Sequence, residues 1–441
     1  MTRARRLWQI IRRLWEPLLG PCAILASCCV LSAVILSSCA RPGEDTLSEL
    51  AGPVGGPGAP RIRVLLTNDP RPVVRLECTG GYILRSGEEI VAASQGAPGP
   101  IVATHTAGEW SFNGLKAETG PIIFEPMGEA IVAINGVSYR GSLRLIPAGP
   151  DALRVVNDVD LEQYLASVIA KELYRDWHLQ AYRAQAVAAR TFALYQAKTY
   201  GKTRDHDVRA DQSSQAYPGV TGETVKSRRA VRSTAGVVLT YPIDGEHRLF
   251  RAQYSSCCGG RVNPADVVQE SADIPPLRGG QVCTDCGRQP FASSKYRWST
   301  VTVHRADLFN AILRRYPARA GRLAGVDRVV VTERTEHGRP MFVKAYDTRG
   351  RAIRMRADDL RICLLYAGIP AAKRLYSMNC SIVNAGDSVQ FTDGRGFGHG
   401  IGMCQYGAQS KAAKGWSAAR ILEFYYPDSR LLVVGPDQAD R

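Results

Sequence analysis

Glu172 stands where a leucine belongs. Leu161, Leu165 and Val168 recur at helical spacing and make one apolar stripe. At about 100° per residue, Glu172 falls roughly 20° from Leu161 on that stripe. A carboxyl group turned toward apolar neighbours is desolvated and its pKa rises. That prepares a general acid for work near neutral pH. The same pattern allows a plainer reading, in which the last turn frays and Glu172 points to solvent. Asp160 with Gln163 three residues on has the form of a capping box and marks the start of this helix. A break is expected at Tyr174 to Trp177, and a second helix follows. Tyr182, Ala186, Ala189, Ala193 and Ala197 share one of its faces, so it can pack closely against another element. Gln185 and Arg190 flank that face on opposite edges.

Three further stretches carry residues suited to binding. The polar loop Asp211 to Gly219 contains Gln215 and Tyr217. Tyr254-Ser255-Ser256-Cys257-Cys258-Gly259-Gly260 combines hydroxyls with two glycines that leave backbone N–H groups open, a set that suits the hydroxyls and N-acetyl group of a sugar. Read plainly, it is a tight turn after a strand. In Gly394 to Pro427, glycines alternate at 394, 396, 398, 400 and 402 around His399, and Gln405 opens the next helix. The alternation fails the dinucleotide fingerprint and lacks the lysine of a P-loop. It permits close approach of the backbone to a ligand or a strand. His399 could equally serve as a hydrogen-bonding lock for its own loop.

The elements that must position these residues are legible in outline. The expected fold class is α+β: a small, mostly β N-terminal region, residues 61 to 157, then a mixed helix and sheet core over 158 to 436 that carries the cleft. Ile62 to Leu65, Gly81 to Leu84, Trp110 to Phe112, Ile122 to Phe124 and Ser142 to Ile146 are short strand-like runs separated by Gly, Pro and Asn. Residues 296 to 347 read as strand, helix and two strands, with no chemistry assigned.

Hydrophobic content of 45% and charged content of 22% over 441 residues are those of a globular chain, not a disordered one. The formal net charge of +15 suits an anionic partner such as nucleic acid, anionic lipid or anionic wall polymer. Residues 1 to 39 read as an export leader: basic residues, an apolar run from Leu18 to Leu36, then Leu36-Ser37-Ser38-Cys39, which has the form of a lipobox. The apolar run is also nearly long enough to serve as an uncleaved anchor. Either way the body lies outside the cytoplasm, tethered to the membrane on its outer face or in the periplasm, and nucleic acid is disfavoured. Residues 40 to 60 are rich in Gly and Pro and read as a flexible tether. Eight cysteines remain in the exported body: Cys78, Cys257, Cys258, Cys283, Cys286, Cys363, Cys380 and Cys404. Disulfides joining the Cys257/Cys258 pair to the Cys283/Cys286 pair are the favoured reading, with a structural zinc on the same four cysteines as the alternative. Neither makes them catalytic.

Taken together, the LE-x-YL start at Leu161, Glu172 eleven residues on, Ala184-Gln185-Ala186-Val187-Ala188-Ala189-Arg190-Thr191-Phe192-Ala193, Ser214-Gln215-Ala216-Tyr217 and GFGHGIGMCQYGA from 396 to 408 resemble the SpoIID/LytB family. The resemblance covers most of residues 61 to 436. It implies a lytic transglycosylase acting on peptidoglycan glycan strands, with Glu172 as general acid and base and no cofactor. It implies that Gln185, Arg190, Gln215, Tyr217, Tyr254, Ser255, Gly259, Gly260, His399 and Gln405 bind sugar or orient the acid. Some members carry a zinc-binding His-Cys pair where this chain has Ser213 and Ser214, so no metal is expected there, and His206 reads as a lone exposed histidine. The family also includes amidase enhancers, which makes a glycan-binding helper of a wall amidase, or a partner of other wall-remodelling proteins, the alternative role. If Cys39 is acylated, lipid labelling and detergent-phase partitioning of the full chain should both disappear in Cys39→Ala; unchanged labelling would rule the lipoprotein reading out.

Overall fold

The computed structural model describes Leu47, residues 59–67, 69–117, 120–268 and 273–434. The leader, Cys39 and most of the tether lie outside the described residues. Among those described, no helix is long and apolar enough to cross a membrane.

The chain is α+β, as its sequence suggests. The N-terminal β region occupies the expected residues, with strands from Arg61 to Asp160, and supplies a six-stranded sheet and all but one strand of a seven-stranded one. The seven-stranded sheet runs in the order Val208–Arg209, Arg61–Leu65, Leu153–Asp160, Ser142–Pro147, Ile122–Pro126, Tyr82–Ser86, Glu89–Ser94. All its pairs are antiparallel except the one between Arg61–Leu65 and Val208–Arg209. Strand Val73–Cys78, absent from the sequence reading, alternates strictly between exposed and buried positions, the period of a half-buried strand.

The long strand Leu153–Asp160 pairs with Arg61–Leu65 on one side and Ser142–Pro147 on the other, then runs directly into a helix. Asp160, paired with Arg61 at the strand's end, is also the helix N-cap: its carboxylate accepts from the Gln163 N–H at 3.0 Å. That satisfies one of the four N–H groups a helix start leaves open. The acid helix, Leu161–Glu172, is therefore aimed by the sheet.

The central helix, Leu179–Tyr200, follows after His178 caps it. Residues 181 to 194 of it are buried without interruption. Enclosed along that stretch, with polar Arg183, Gln185, Arg190 and Thr191 included, the helix turns its two sides to different cores. Tyr182, Ala186, Ala189 and Ala193 pack with the sheets and the acid helix. Ala181, Ala184, Val187 and Ala188 pack with Phe250, Met403, Leu422 and Tyr426. A third cluster fills a satellite of sheet and helix between Val301 and Phe391.

One buried polar link fixes the acid helix, and a second ties the strand that leads into it. Arg190 of the central helix grips Glu162 through both carboxylate oxygens, at 2.7 and 2.6 Å, and gives a third hydrogen bond to the Val237 carbonyl at 3.0 Å. Its side chain is 1% exposed and that of Glu162 11%. Asn157, fully buried in the long strand, donates to the Arg140 and Ser142 carbonyls and accepts from the Tyr217 hydroxyl at 2.9 Å. Removing one partner of a buried ion pair strands the other charge and costs about 3–5 kcal/mol. Arg190→Met should lose about that much unfolding free energy in denaturant titration, and Glu162→Gln/Arg190→Met should recover part of it. A loss below ~1 kcal/mol in Arg190→Met would show that the pair is dispensable to the fold.

Candidate active site

Glu172 is the last residue of the acid helix, which stops at Leu173 in extended conformation. Leu161, Leu165 and Val168 are buried on its stripe, and Glu172 continues it, half-buried. The last turn is not frayed. The carboxylate is held from two sides: Gln405 Nε2 donates to Oε2 at 3.0 Å, and the Ala216 backbone N–H donates to Oε1 at 3.4 Å. Burial pushes the pKa above the ordinary carboxylate range, while the amide, the N–H and neighbouring Lys171 pull the other way; burial prevails.

A second layer keeps those partners in place. Gln215 is buried, with Oε1 accepting from the Tyr164 hydroxyl at 3.0 Å and Nε2 donating to the Tyr254 hydroxyl at 2.9 Å and to the Ala189 carbonyl at 3.2 Å. This fixes the backbone of Ala216, the next residue. Burial first, and the nearby Glu172 charge as well, hold the Tyr164 and Tyr254 phenols well above their usual range, so both remain protonated hydroxyls. On the other side, Gln405 opens the helix Gln405–Ala413, whose N-cap Cys404 pairs with Ser255 in a short parallel ladder.

The structure thus joins Glu172, Gln215, Tyr254 and Gln405 in one network. Other residues singled out in the sequence sit differently. Arg190 is committed to Glu162 and reaches no cleft. Tyr217 is 6% exposed, bonded to Asn157 and packed 4.9 Å from the Tyr164 ring, so it supports the site from within the core. Gln185 is fully enclosed, and its amide has no partner among the described residues; a buried amide left so is ordinarily met by water or a ligand group. Ser255 Oγ is in the same condition.

The alternating glycines have a structural explanation. Their loop lies against residues 253 to 263. Gly396 and Gly402 both have positive φ, and a Cβ on either would strike backbone: the Cys257 carbonyl at 2.6 Å for Gly396, the Gln253 carbonyl for Gly402. Gly259 packs on the same loop, where a Cβ would meet the Gly396 nitrogen at 2.9 Å; Gly260, also at positive φ, faces the Tyr296 hydroxyl. Within the loop, His399 Nδ1 accepts from the Ile401 N–H at 3.0 Å, and burial lowers its pKa to about 4. It is a neutral imidazole that locks its own loop. Among the described residues it shares no hydrogen bond with Glu172.

Two features escaped the sequence reading. The Ala216 N–H carries no side-chain signal at all. Tyr174, Trp177 and Tyr406 form an aromatic group beside the acid, with ring centroids 5.0–6.0 Å apart and Tyr174 58% exposed. Its sequence signal lay in the interhelical break, where the aromatics were read only as a stop. An exposed ring two residues from the acid offers an apolar face for a pyranose. His206 is neither exposed nor alone: its Nδ1 lies 2.6 Å from Asp205, in a pocket shared with Ser213 and Ser214.

The model of the family described as Stage II sporulation protein matches residues 150–241, a span that contains Glu172, Gln185, Arg190, Gln215 and Tyr217. An uncharacterized protein of Brachyspira hyodysenteriae is 29% identical over 294 residues, 66% of this chain and 72% of that protein. The amidase enhancer of Bacillus subtilis is 28% identical over 301 residues, 60% of this chain but 40% of the relative. Stage II sporulation protein D of the same organism is 25% identical over 300 residues, 65% and 78% of the two chains.

The raised pKa of Glu172 has a consequence for stability. The folded chain holds this proton more tightly than the unfolded one. The group's contribution is therefore complete below its unfolded pKa of about 4.3 and is lost as pH rises through the folded value. Glu172→Gln, uncharged throughout, escapes that loss. The stability difference between variant and wild type should move in the variant's favour from about pH 4 upward and be level below. Denaturant titrations across pH measure it; a flat difference would show a carboxylate of ordinary pKa, and one that moves the other way a depressed pKa.

Proposed function

This chain belongs to the SpoIID/LytB family, and we propose that it is a peptidoglycan lytic transglycosylase with Glu172 as its one acid–base residue. The family places its role at the bacterial cell wall. The observation that carries the enzymatic reading is the half-buried Glu172 carboxyl, raised in pKa and held between the Gln405 amide and the Ala216 N–H.

In this reading a glycan strand lies across the acid, with a sugar face on Tyr174. Glu172, protonated, gives its proton to the glycosidic oxygen between MurNAc and GlcNAc as the bond to the anomeric carbon breaks. The MurNAc 6-hydroxyl closes on that carbon, and the Glu172 carboxylate takes its proton. The product is a 1,6-anhydro end, and water takes no part. A single carboxyl performs both transfers, where hydrolysing glycosidases ordinarily use two. The Gln405 amide can follow the carboxyl through both states: Nε2 donates to the carboxylate, and Oε1 can accept from the acid. The enzyme would work outside the cytoplasm, tethered through its N-terminal leader. The similarity to an amidase enhancer supports one other reading, a glycan-binding helper that recruits or stimulates a wall amidase.

Glu172→Gln keeps the size and hydrogen bonding of the side chain but cannot deliver a proton. Acid–base assistance is worth about 10²–10⁴-fold, so release of anhydro-MurNAc ends from purified glycan, read by mass spectrometry, should fall at least that far while the fold survives. Anhydro ends at near wild-type rate would place the acid elsewhere. Reducing ends from the wild type would make water the nucleophile. Binding without cleavage would leave the helper role.

A further inference from the structure

The five cysteines at positions 257, 258, 283, 286 and 404 come together in the second core, each 1% exposed or less. The sequence favours disulfides joining the first pair to the second, with a structural zinc on the same four cysteines as the alternative. The structure contains no such bridge: all eight body cysteines are free. It also changes the membership of the group. Cys258, Cys283, Cys286 and Cys404 bring their four Sγ atoms within 4.8 Å of one another, and Cys257 stands outside the set. The sequence could not supply Cys404, which lies more than a hundred residues away and arrives through the ladder that pairs it with Ser255.

We propose that these four cysteines bind one zinc ion in a closed, tetrahedral, structural site. The spacing fits the ion. Four thiolates about 2.3 Å from zinc stand about 3.8 Å apart along a tetrahedron's edge. Cys258 Sγ and Cys286 Sγ are 3.7 Å apart, nearly twice the sulfur–sulfur distance of a disulfide, about 2.05 Å. The ligand spacing fits as well. Cys283 and Cys286 form a C-x-x-C knuckle on a short 3-10 turn, Thr284–Gly287, and the other two ligands come one each from separate segments.

Hydrogen-bond donors face two of the four sulfurs as they would face thiolates, while the sulfurs of Cys286, Cys258 and Cys404 also lie 3.2–3.8 Å from backbone carbonyls. Cys404 Sγ accepts two backbone N–H groups, from Gly407 and Cys258, each at 3.4 Å. The Tyr425 hydroxyl lies 3.0 Å from Cys283 Sγ, where it can donate to a thiolate. The helix start is pressed against the cluster: a Cβ on Gly407 would come within 2.5 Å of Cys283 Sγ. The knuckle is tied to the same helix from outside, by Lys411 to Asp285 at 2.7 Å. Second contacts of this kind orient ligands and tune affinity in metal sites.

The ion would staple three segments: the turn after Tyr254-Ser255, the knuckle, and the N-terminus of the helix that begins at Gln405. Cys404 is the residue before Gln405, whose amide holds Glu172. All four positions are filled by protein, so the ion's role is to hold structure and it offers no site to substrate.

The test uses the full-length chain, purified without chelator. Elemental analysis should give one zinc per chain, removed together with a fall in thermal midpoint by a strong chelator and restored by zinc salt. Cobalt(II) in its place should give the intense visible bands of a tetrahedral thiolate site. Cys286→Ser should lose the metal, whereas Cys363→Ser, in the third core, should keep it. Tyr425→Phe, which leaves every ligand in place, should weaken zinc binding about 10–100-fold in a chelator competition. A metal-free chain whose four cysteines alkylate together as thiols, peptide maps showing them in disulfides, iron in place of zinc, or full zinc retention in Cys286→Ser would each overturn the site. None of these readouts depends on glycan cleavage, so the site and the transglycosylase reading can fail independently.

Discussion

The angle between two helices is the constraint on which this molecule turns, and a buried ion pair sets it. Arg190 and Glu162 meet through two parallel hydrogen bonds, a geometry that tolerates little rotation of either helix. An apolar contact between the same helices would permit sliding, because dispersion and burial are nearly indifferent to register. A planar guanidinium on a planar carboxylate is not. The third donor of Arg190 reaches the Val237 carbonyl, so the strand beyond is tied to the same point. Ten residues along the acid helix from Glu162, the carboxyl of Glu172 inherits that precision. The arrangement explains why both charged residues lie inside a run that otherwise reads as apolar helix.

Around Glu172 two opposed influences act, and burial is the stronger. Burial alone would keep the carboxyl protonated and make it a poor base; two good hydrogen bonds in the open would keep it ionised and make it a poor acid. The acid helix ends at the point where both apply, against a core on one side and the Gln405 amide and Ala216 N–H on the other. The partners come from segments some 40 and 230 residues away along the chain. Each is held by its own network: Gln215 with Tyr164 and Tyr254 on one side, the Cys404 helix cap on the other. In the proposed reaction the carboxyl gives a proton and then takes one back, with partners from both sides already in place.

Much of this was legible in the sequence, and the limits of that legibility are physical. The carboxylate on a leucine stripe was visible because helical period is local, and the N-cap Asp160 was visible because capping is a three-residue event. The fold class followed from strand-like runs alternating with turns. What local pattern could not convey was partnership at a distance. Arg190 and Tyr217 were expected to bind sugar or orient the acid, and local pattern could not show that their hydrogen-bond partners are Glu162 and Asn157. The glycine alternation suggested close approach of something to the backbone; the something is the chain itself, residues 253 to 263. His399 was similarly ambiguous, and the Ile401 N–H on its ring nitrogen resolves its local role. The cysteines show the same limit: C-x-x-C is local and was read, whereas the fourth member of the cluster is brought in only by the fold.

These observations suggest a division of labour between the two cores that meet on the central helix. The first core, built on the large sheets, aims the acid helix and supplies Gln215 and Tyr164. The second carries the glycine loop, the cysteine cluster and the helix whose first residue completes the site. A site assembled from two cores is only as exact as their junction. On the first side that junction is held by Arg190, a directional contact in a dry environment. On the second it rests on segments with little regular structure: two-residue ladders at Tyr254–Ser255 and Met403–Cys404, and a loop with a glycine at every other position. Short ladders and glycines make close approach possible and contribute little rigidity of their own. A four-sulfur cluster at this location compensates for that deficit, since it fixes three weakly structured segments relative to one another beside the one hydrogen bond, Gln405 to Glu172, that most needs them fixed.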